Sequence, residues 1–410
     1  MKFRSLGAAI AASVALPAGM AGATDLEVMH WWTSGGEAAA VGELAKAFDG
    51  TGNHWVDGAI AGGGNTARPI MVSRITGGDP MGAFQFNHGR QAEELIEAGL
   101  LRPLTGLAEE QGWREIVNPP SLIEDCTLDG EIYCVPVNIH SWQWLWLSNK
   151  AFEDAGVAVP ANRDEFVAAA PALRAAGKIP LALGGQAWQA AGAFQVLMVA
   201  VGGPDVFRQV YGDKNAEVAA GPEVAKVFQA TADAREMAAG SNVQEWQAAT
   251  NLVITDQAGG QIMGDWAQGD FQVAGEVAGT DYTCLPGLGL QEVLATGGDA
   301  FYFPVVDDPE IQAAQDALAS VLLLPETQVA FNLKKGSLPV RSDVNLEATN
   351  DCMQKGLDIL ATGETVPAVE QVLSQDSVTQ INDLMTEFFS SSMSPEDAQA
   401  RFVDIIASAD

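Results

Sequence analysis

From Leu26 to Trp32 the chain reads LEVMHWW, alternating apolar and polar positions with the period of two that marks a strand packed on one face. The alternation ends at Thr33-Ser34-Gly35-Gly36, where either hydroxyl can cap a helix running from about Glu37 to Phe48. HWVDGAIAGGG (54–64) then predicts a second strand ending in glycines, and TARPIMVSRITGG a helix. MGAFQFN (81–87) predicts a third strand, and RQAEELIEAGLL places apolar residues at helical spacing. Strand alternating with helix in this way predicts a parallel, doubly wound sheet.

Past Asp129 the pattern changes. DGEIYCVPVNIHSWQWLWLSN (129–149) is a longer β-like run rich in tryptophan, and from there to about residue 280 the chain reads as mostly helical. NRDEFVAAAPALRAAG (capped by Asn162), AFQVLMVAVGG and PEVAKVFQATADAREMAAG are the clearest helices, and AFYFPV (300–305) predicts another short strand. No repeat or low-complexity linker interrupts the chain, so a break near residues 136–140 reads as a hinge of β-like segments rather than a tether.

With 410 residues, 48% hydrophobic and 18% charged, the chain supports two or more domains with large cores. A formal charge of −32 without a basic patch opposes binding to nucleic acid or anionic lipid and fits an exported monomer. Lys2 and Arg4, the apolar run LGAAIAASVALPAGM and the small-residue site Ala21–Ala23 read as a signal peptide over residues 1–23. Export permits disulfides, and Cys126, Cys134, Cys284 and Cys352 allow three pairings. The hairpin signal Asp129-Gly130 would set Cys126 opposite Cys134, leaving Cys284 with Cys352. The four histidines are dispersed, so no metal is expected. GAIAGGGN lacks the lysine of a phosphate loop and the spacing of a dinucleotide fingerprint, and no cofactor is expected either.

In open α/β sheets ligands sit beyond the carboxyl ends of strands. Adjacent tryptophans point to opposite faces of a strand, so Trp31 and Trp32 cannot both fill one side and belong at such an edge. Trp31, Trp32 and Glu37 follow the first strand; Gln85, Asn87 and His88 end the third. Trp246 (in NVQEWQAAT), Trp266 (in GDWAQGDF), Asp299 (before AFYFP) and Lys335 (in FNLKKGSLPVR) add further candidates at loop ends. Flat aromatic faces with a few fixed donors and acceptors suit a polyhydroxylated ligand such as a sugar. His88 and His140 read as structural. Glu37 and Asp299 are also the carboxylate pair that an exported glycoside hydrolase would need. Taken alone, these residues define an exported two-domain α/β binding protein of unspecified ligand.

HWWTSGGE, GGGN, PMGAFQ, YCVPVNIHSWQWLWLSNKAFEDAG, GDWAQGDF and FNLKKGSLPVR together resemble the periplasmic solute-binding proteins of ABC sugar importers, most closely the glucose/mannose-binding branch. The resemblance spans essentially the whole mature chain. It implies a non-enzymatic carrier with two α/β lobes, each a doubly wound sheet flanked by helices, joined by a multi-strand hinge. Residues 24–136 plus about 287–326 would form one lobe, and 137–286 plus about 327–410 the other. A monosaccharide, glucose or a related hexose, would bind between them and be delivered in the periplasm to membrane permease subunits; a pentose, disaccharide or polyol is the alternative cargo. Trp31 and Trp32 would stack on or flank the sugar and Glu37 would accept from its hydroxyls, with Gln85, Trp246, Trp266, Asp299 and Lys335 completing the pocket. Two positions depart from the branch. Asn87 stands where a basic residue is frequent, and Gln371, in VPAVEQVLS, stands where a histidine is common. No arginine lies among the motif positions, which favours a neutral ligand.

Overall fold

A computed structural model describes residues 23–410; the rest of the expected signal peptide lies outside the described residues. The first five elements follow the predicted order: β1 (Asp25–His30), α1 (Gly35–Asp49), β2 (His54–Ala59), α2 (Gly64–Thr76) and β3 (Ala83–Asn87). Ser34, rather than Thr33, caps α1: its hydroxyl accepts from the Glu37 N–H at 3.2 Å, and Glu37 accepts in return from the Ser34 N–H. Both β2 and β3 pair parallel with β1.

The chain then passes through β4 (Cys134–Pro136) into β5 (Trp144–Ser148), β6 (Ile179–Ala182), β7 (Ala258–Ile262) and β8 (Tyr282–Pro286). β5 to β8 form a second sheet in the order β8-β5-β7-β6. β9 (Asp299–Tyr302) returns to the first sheet and inserts between β3 and β4, antiparallel to both. The first sheet is therefore mixed rather than parallel throughout. A strand arriving from the second lobe enters from the end opposite to the strands of the βαβ units.

Around the second sheet lie α3 (Arg163–Ala175), capped by Asn162 as expected, α4 (Ala187–Leu197), α5 (Trp246–Ile254) and α6 (Ala267–Val273). β7, with the sequence AGGQI, has low strand propensity yet is wholly buried. A Cβ on Gly259 would lie 2.4 Å from Leu173 of α3, and one on Gly260 2.8 Å from Leu147 of β5. Neighbouring side chains pack onto bare backbone there, so the glycines are a packing requirement.

Three segments cross between the lobes side by side: Ile139 bridges Leu338, and His140 bridges Gly297. Before the last crossing, α7 (Pro325–Lys335) packs along α1 on the first-lobe side, although it was expected on the second. Its apolar stripe, including buried Phe331, closes over Trp32. The short helix α8 (Val369–Val372) follows. Disulfides join Cys126 to Cys134 and Cys284 to Cys352.

Candidate functional site

A cleft of about 980 Å³, including its open mouth, lies beyond the carboxyl ends of β1 and β3 and faces α4, α5 and α6. Six of the chain's ten tryptophans line it: Trp31, Trp32, Trp142, Trp188, Trp246 and Trp266. The adjacent pair splays as strand geometry requires. Trp32 is buried against Phe331 (5.2 Å between ring centroids) and Phe301 (5.8 Å), while Trp31 stays half-buried with the Arg68 guanidinium 5.8 Å above its ring.

The floor is charged and buried. Lys335 ends α7, and its Nζ lies 3.3 Å from Glu37 Oε1, 5.6 Å from the Trp32 ring and 5.7 Å from the Trp266 ring. Glu37, Lys335 and Asp299 are all nearly inaccessible. Burial pushes the Glu37 carboxyl up, and Lys335 opposes that shift. Asp299 Oδ1 accepts from Gln85 Nε2 at 2.6 Å; Oδ2 accepts from Asn138 Nδ2 at 2.9 Å and lies 3.3 Å from His140 Nδ1. Burial pushes this carboxyl up too, but His140, Lys335 and the donors together hold it well below the ordinary carboxylate range. For His140, burial is the largest single influence and lowers the pKa, but the charge and hydrogen bond of Asp299 together with the Asp265 charge outweigh it, so the imidazole is raised. The result is a fixed array of charged donors and acceptors beneath aromatic faces.

Asp265, just before Trp266, accepts from the Ser141 N–H at 2.8 Å through Oδ2, while Oδ1 has no partner among the described residues. Burial pushes its carboxyl up to about 7, against the pull of His140. A raised acid contributes stability at low pH that is lost as pH rises through its folded pKa. Asp265→Asn keeps an acceptor for Ser141 and removes the buried ionisation. The variant is expected to gain about 1–2 kcal/mol over the parent at pH 8 and almost nothing at pH 4, read as Tm against pH.

Of the predicted site residues, Trp31, Trp32, Glu37, Asn87, Trp246, Trp266, Asp299 and Lys335 line the cleft. Gln85 does not; fully buried, it accepts from the Trp31 N–H at 3.0 Å and donates to Asp299, so it positions two wall residues. Gln371 is not in the cleft either. Its amide donates to Asp125 Oδ2 (2.7 Å) and the Thr296 carbonyl (2.9 Å), beside His88, on the wall of a separate cavity. Successive helical residues point about 100° apart, and Glu370 is the one that reaches the cleft, accepting from Asn87 Nδ2 at 3.0 Å. Sequence reasoning missed Arg68, Trp142, Trp188, Glu245 and Glu370, and read His140 as structural. The motif positions contain no arginine, yet α2 brings Arg68 to the wall, so the argument from missing arginine does not hold.

Residues 32–322 match the family described as bacterial extracellular solute-binding protein. A "Probable sugar-binding periplasmic protein" of Brucella melitensis is 33% identical over 420 residues, covering 100% of this chain and 99% of that one. A protein of the same description from Mesorhizobium japonicum is 35% identical over 355 residues, 86% of this chain and 84% of its own. Among solved structures, a chitin oligosaccharide binding protein aligns with TM-score 0.77 at 19% identity over 94% of this chain and 99% of its own. The bacterial solute receptor AcbH, described as having an exclusive substrate preference for β-D-galactopyranose, aligns with TM-score 0.76 at 20% identity over 93% and 98%. At these identities the structural likenesses establish the two-lobe fold alone.

Proposed function

Because the chain belongs to the bacterial extracellular solute-binding protein family, we propose that it is the periplasmic sugar-binding component of an ABC importer and that its charged chamber holds a hexose, glucose or a close relative. It is a carrier and not an enzyme, as its relatives are described as binding proteins. One observation carries the reading: walls from both lobes put indole faces around a floor whose donors and acceptors (Lys335–Glu37, His140–Asp299) are already held in place.

A pyranose stacks its C–H face on Trp32 or Trp266 while its hydroxyls take hydrogen bonds from Lys335 and give them to Glu37 and Asp299. Micromolar affinity needs about 8 kcal/mol, within reach of such a set in a preformed cleft. The sugar favours the closed form because only there do both lobes touch it. The protein then presents the closed, loaded monomer to the permease subunits.

The test is a thermal-shift panel on protein unfolded and refolded to strip carried ligand, with glucose, galactose, mannose and xylose. At a hundredfold excess over Kd a true ligand adds about 2.7 kcal/mol, so Tm should rise by several degrees for at least one hexose. No shift with any of the four would count against the hexose.

A further inference from the structure

We propose that Asp265 is a positioning residue for sugar binding: from the second lobe it ties the Trp266 indole to the strands of the hinge, and closing the lobes on a sugar brings a proton to its carboxyl. The inference rests on the sugar-binding reading above.

Asp265 lies in the turn between β7 and α6, 3% exposed and outside the lining of the cleft. It holds the first crossing segment (139–141) twice. Its N–H donates to the Ser141 carbonyl at 2.9 Å, and its Oδ2 accepts from the Ser141 N–H at 2.8 Å. Ser141 passes the link on. Its hydroxyl donates to Gln143 Oε1 at 2.8 Å, and the same oxygen accepts from the Ala295 N–H at 2.6 Å, where the second crossing segment begins. The third touches the turn directly: a Cβ on Gly336, whose φ is +89°, would fall 2.8 Å from the Asp265 carbonyl oxygen. Asp265 therefore sits where all three crossings meet.

The next residue is the stacking face itself. Trp266 stands edge to face with His140, 5.2 Å between ring centroids, and both line the cleft. A Cβ on Gly264 would fall 2.1 Å from the Trp266 ring, so the indole folds back over the bare backbone of its own turn. With the turn fixed at the indole and at the hinge, the angle between the lobes sets where Trp266 stands over the Lys335–Glu37–Asp299 floor.

The same corner is short of counter-ions. Facing Asp265 are His140 on the first crossing segment, Lys335 at the end of α7 and Asp299 on β9. Glu37 of α1 and Asp270 of α6 bear on Lys335 in turn. Four carboxyls thus share one lysine and one histidine, and Glu37 and Asp299 already hold those two at 3.3 Å each. Asp270 stays partly exposed and has the Gly36 N–H. Asp265 is left fully buried with Oδ1 unpaired among the described residues, and a proton removes the disfavoured charge. Burial pushing this carboxyl up to about 7 agrees with that. Opening the lobes lets water into the corner and the acid ionises; closing on a sugar expels the water and the proton returns. A group that holds its proton more tightly in the closed form makes affinity rise as pH falls.

The experiment is isothermal titration of the refolded protein with D-glucose, D-galactose and D-mannose from about pH 6 to about pH 8, repeated on Asp265→Asn and Asp265→Ala. The hexose that binds the wild type is expected to bind about tenfold tighter at the acid end, with a heat near neutrality that varies with the ionisation heat of the buffer. Asp265→Asn keeps an acceptor for Ser141 but cannot ionise, so it should flatten the pH profile and remove the buffer dependence. Asp265→Ala should flatten it too and weaken binding about tenfold throughout, because the Ser141 N–H loses its partner. A flat wild-type profile, or one that stays as steep in Asp265→Asn, overturns the proposal and leaves the sugar-binding reading standing. If no hexose binds the wild type at any pH, the sugar-binding reading fails and this inference falls with it.

Discussion

Lys335→Ala is expected to remove measurable hexose binding and to lower the unfolding free energy by about 3–5 kcal/mol. The ammonium is buried at the end of α7, 3.3 Å from Glu37 Oε1 and within cation–π distance of two indoles. Removing it leaves Glu37 as an uncompensated carboxylate in a place where burial already pushes its pKa up. The stability loss and the binding loss have separate causes, and a second substitution parts them. Adding Glu37→Gln removes the orphaned charge while its amide oxygen still accepts from the Ser34 N–H. The double variant should recover most of the lost stability in denaturant unfolding but none of the affinity. Recovery of both would mean that Lys335 acts only through the fold.

Gly36→Ala should cost about 3 kcal/mol and weaken sugar binding, although residue 36 presents no side chain to the cleft. The first turn of α1, the start of α6 and the end of α7 meet there backbone to backbone. A methyl at residue 36 would fall 2.4 Å from the Gly269 carbonyl carbon and 2.7 Å from the Asp270 N. One at Gly269 would fall 2.8 Å from the Lys334 carbonyl oxygen. Asp270 completes the seam by accepting from the Gly36 N–H at 2.8 Å. Since neither helix backbone can yield locally, the methyl must push α1 and α6 apart, carrying Glu37 away from Lys335. A fall in Tm of several degrees with weaker hexose binding is the expected outcome; an unchanged Tm would mean the seam is looser than its geometry implies.

Much of the first lobe is legible in the sequence because local signals agree there. The period-two stretch before Trp31, the capping hydroxyls at Thr33 and Ser34 and the glycines ending β2 each point to the element found. β7 was illegible because Ala-Gly-Gly-Gln-Ile earns its strand from the residues packed onto it. The antiparallel entry of β9 is a tertiary fact with no local signature.

The site divides in the same way. Trp31 and Trp32 stood out as an adjacent pair at the end of a strand, and Glu37, Trp266, Asp299 and Lys335 because each lies within two residues of a glycine at a loop or helix end. Arg68 lies inside α2, where a cation reads as a solvated face until the fold turns it over Trp31. Trp188 reads as a core tryptophan in an alanine-rich helix. The exchange of Gln371 for Glu370 reflects a one-residue ambiguity that only the helical phase of α8 resolves.

The central claim is that the Lys335–Glu37–Asp299 chamber binds a hexose ring. The most direct test is an isothermal titration of D-glucose, D-galactose and D-mannose into the refolded wild type and into Lys335→Ala, with folding of the variant checked by circular dichroism. A saturable one-to-one heat with a micromolar or lower Kd for at least one hexose, absent in the folded variant, is the predicted result. Silence with all three hexoses, or a heat that survives Lys335→Ala unchanged, would contradict it.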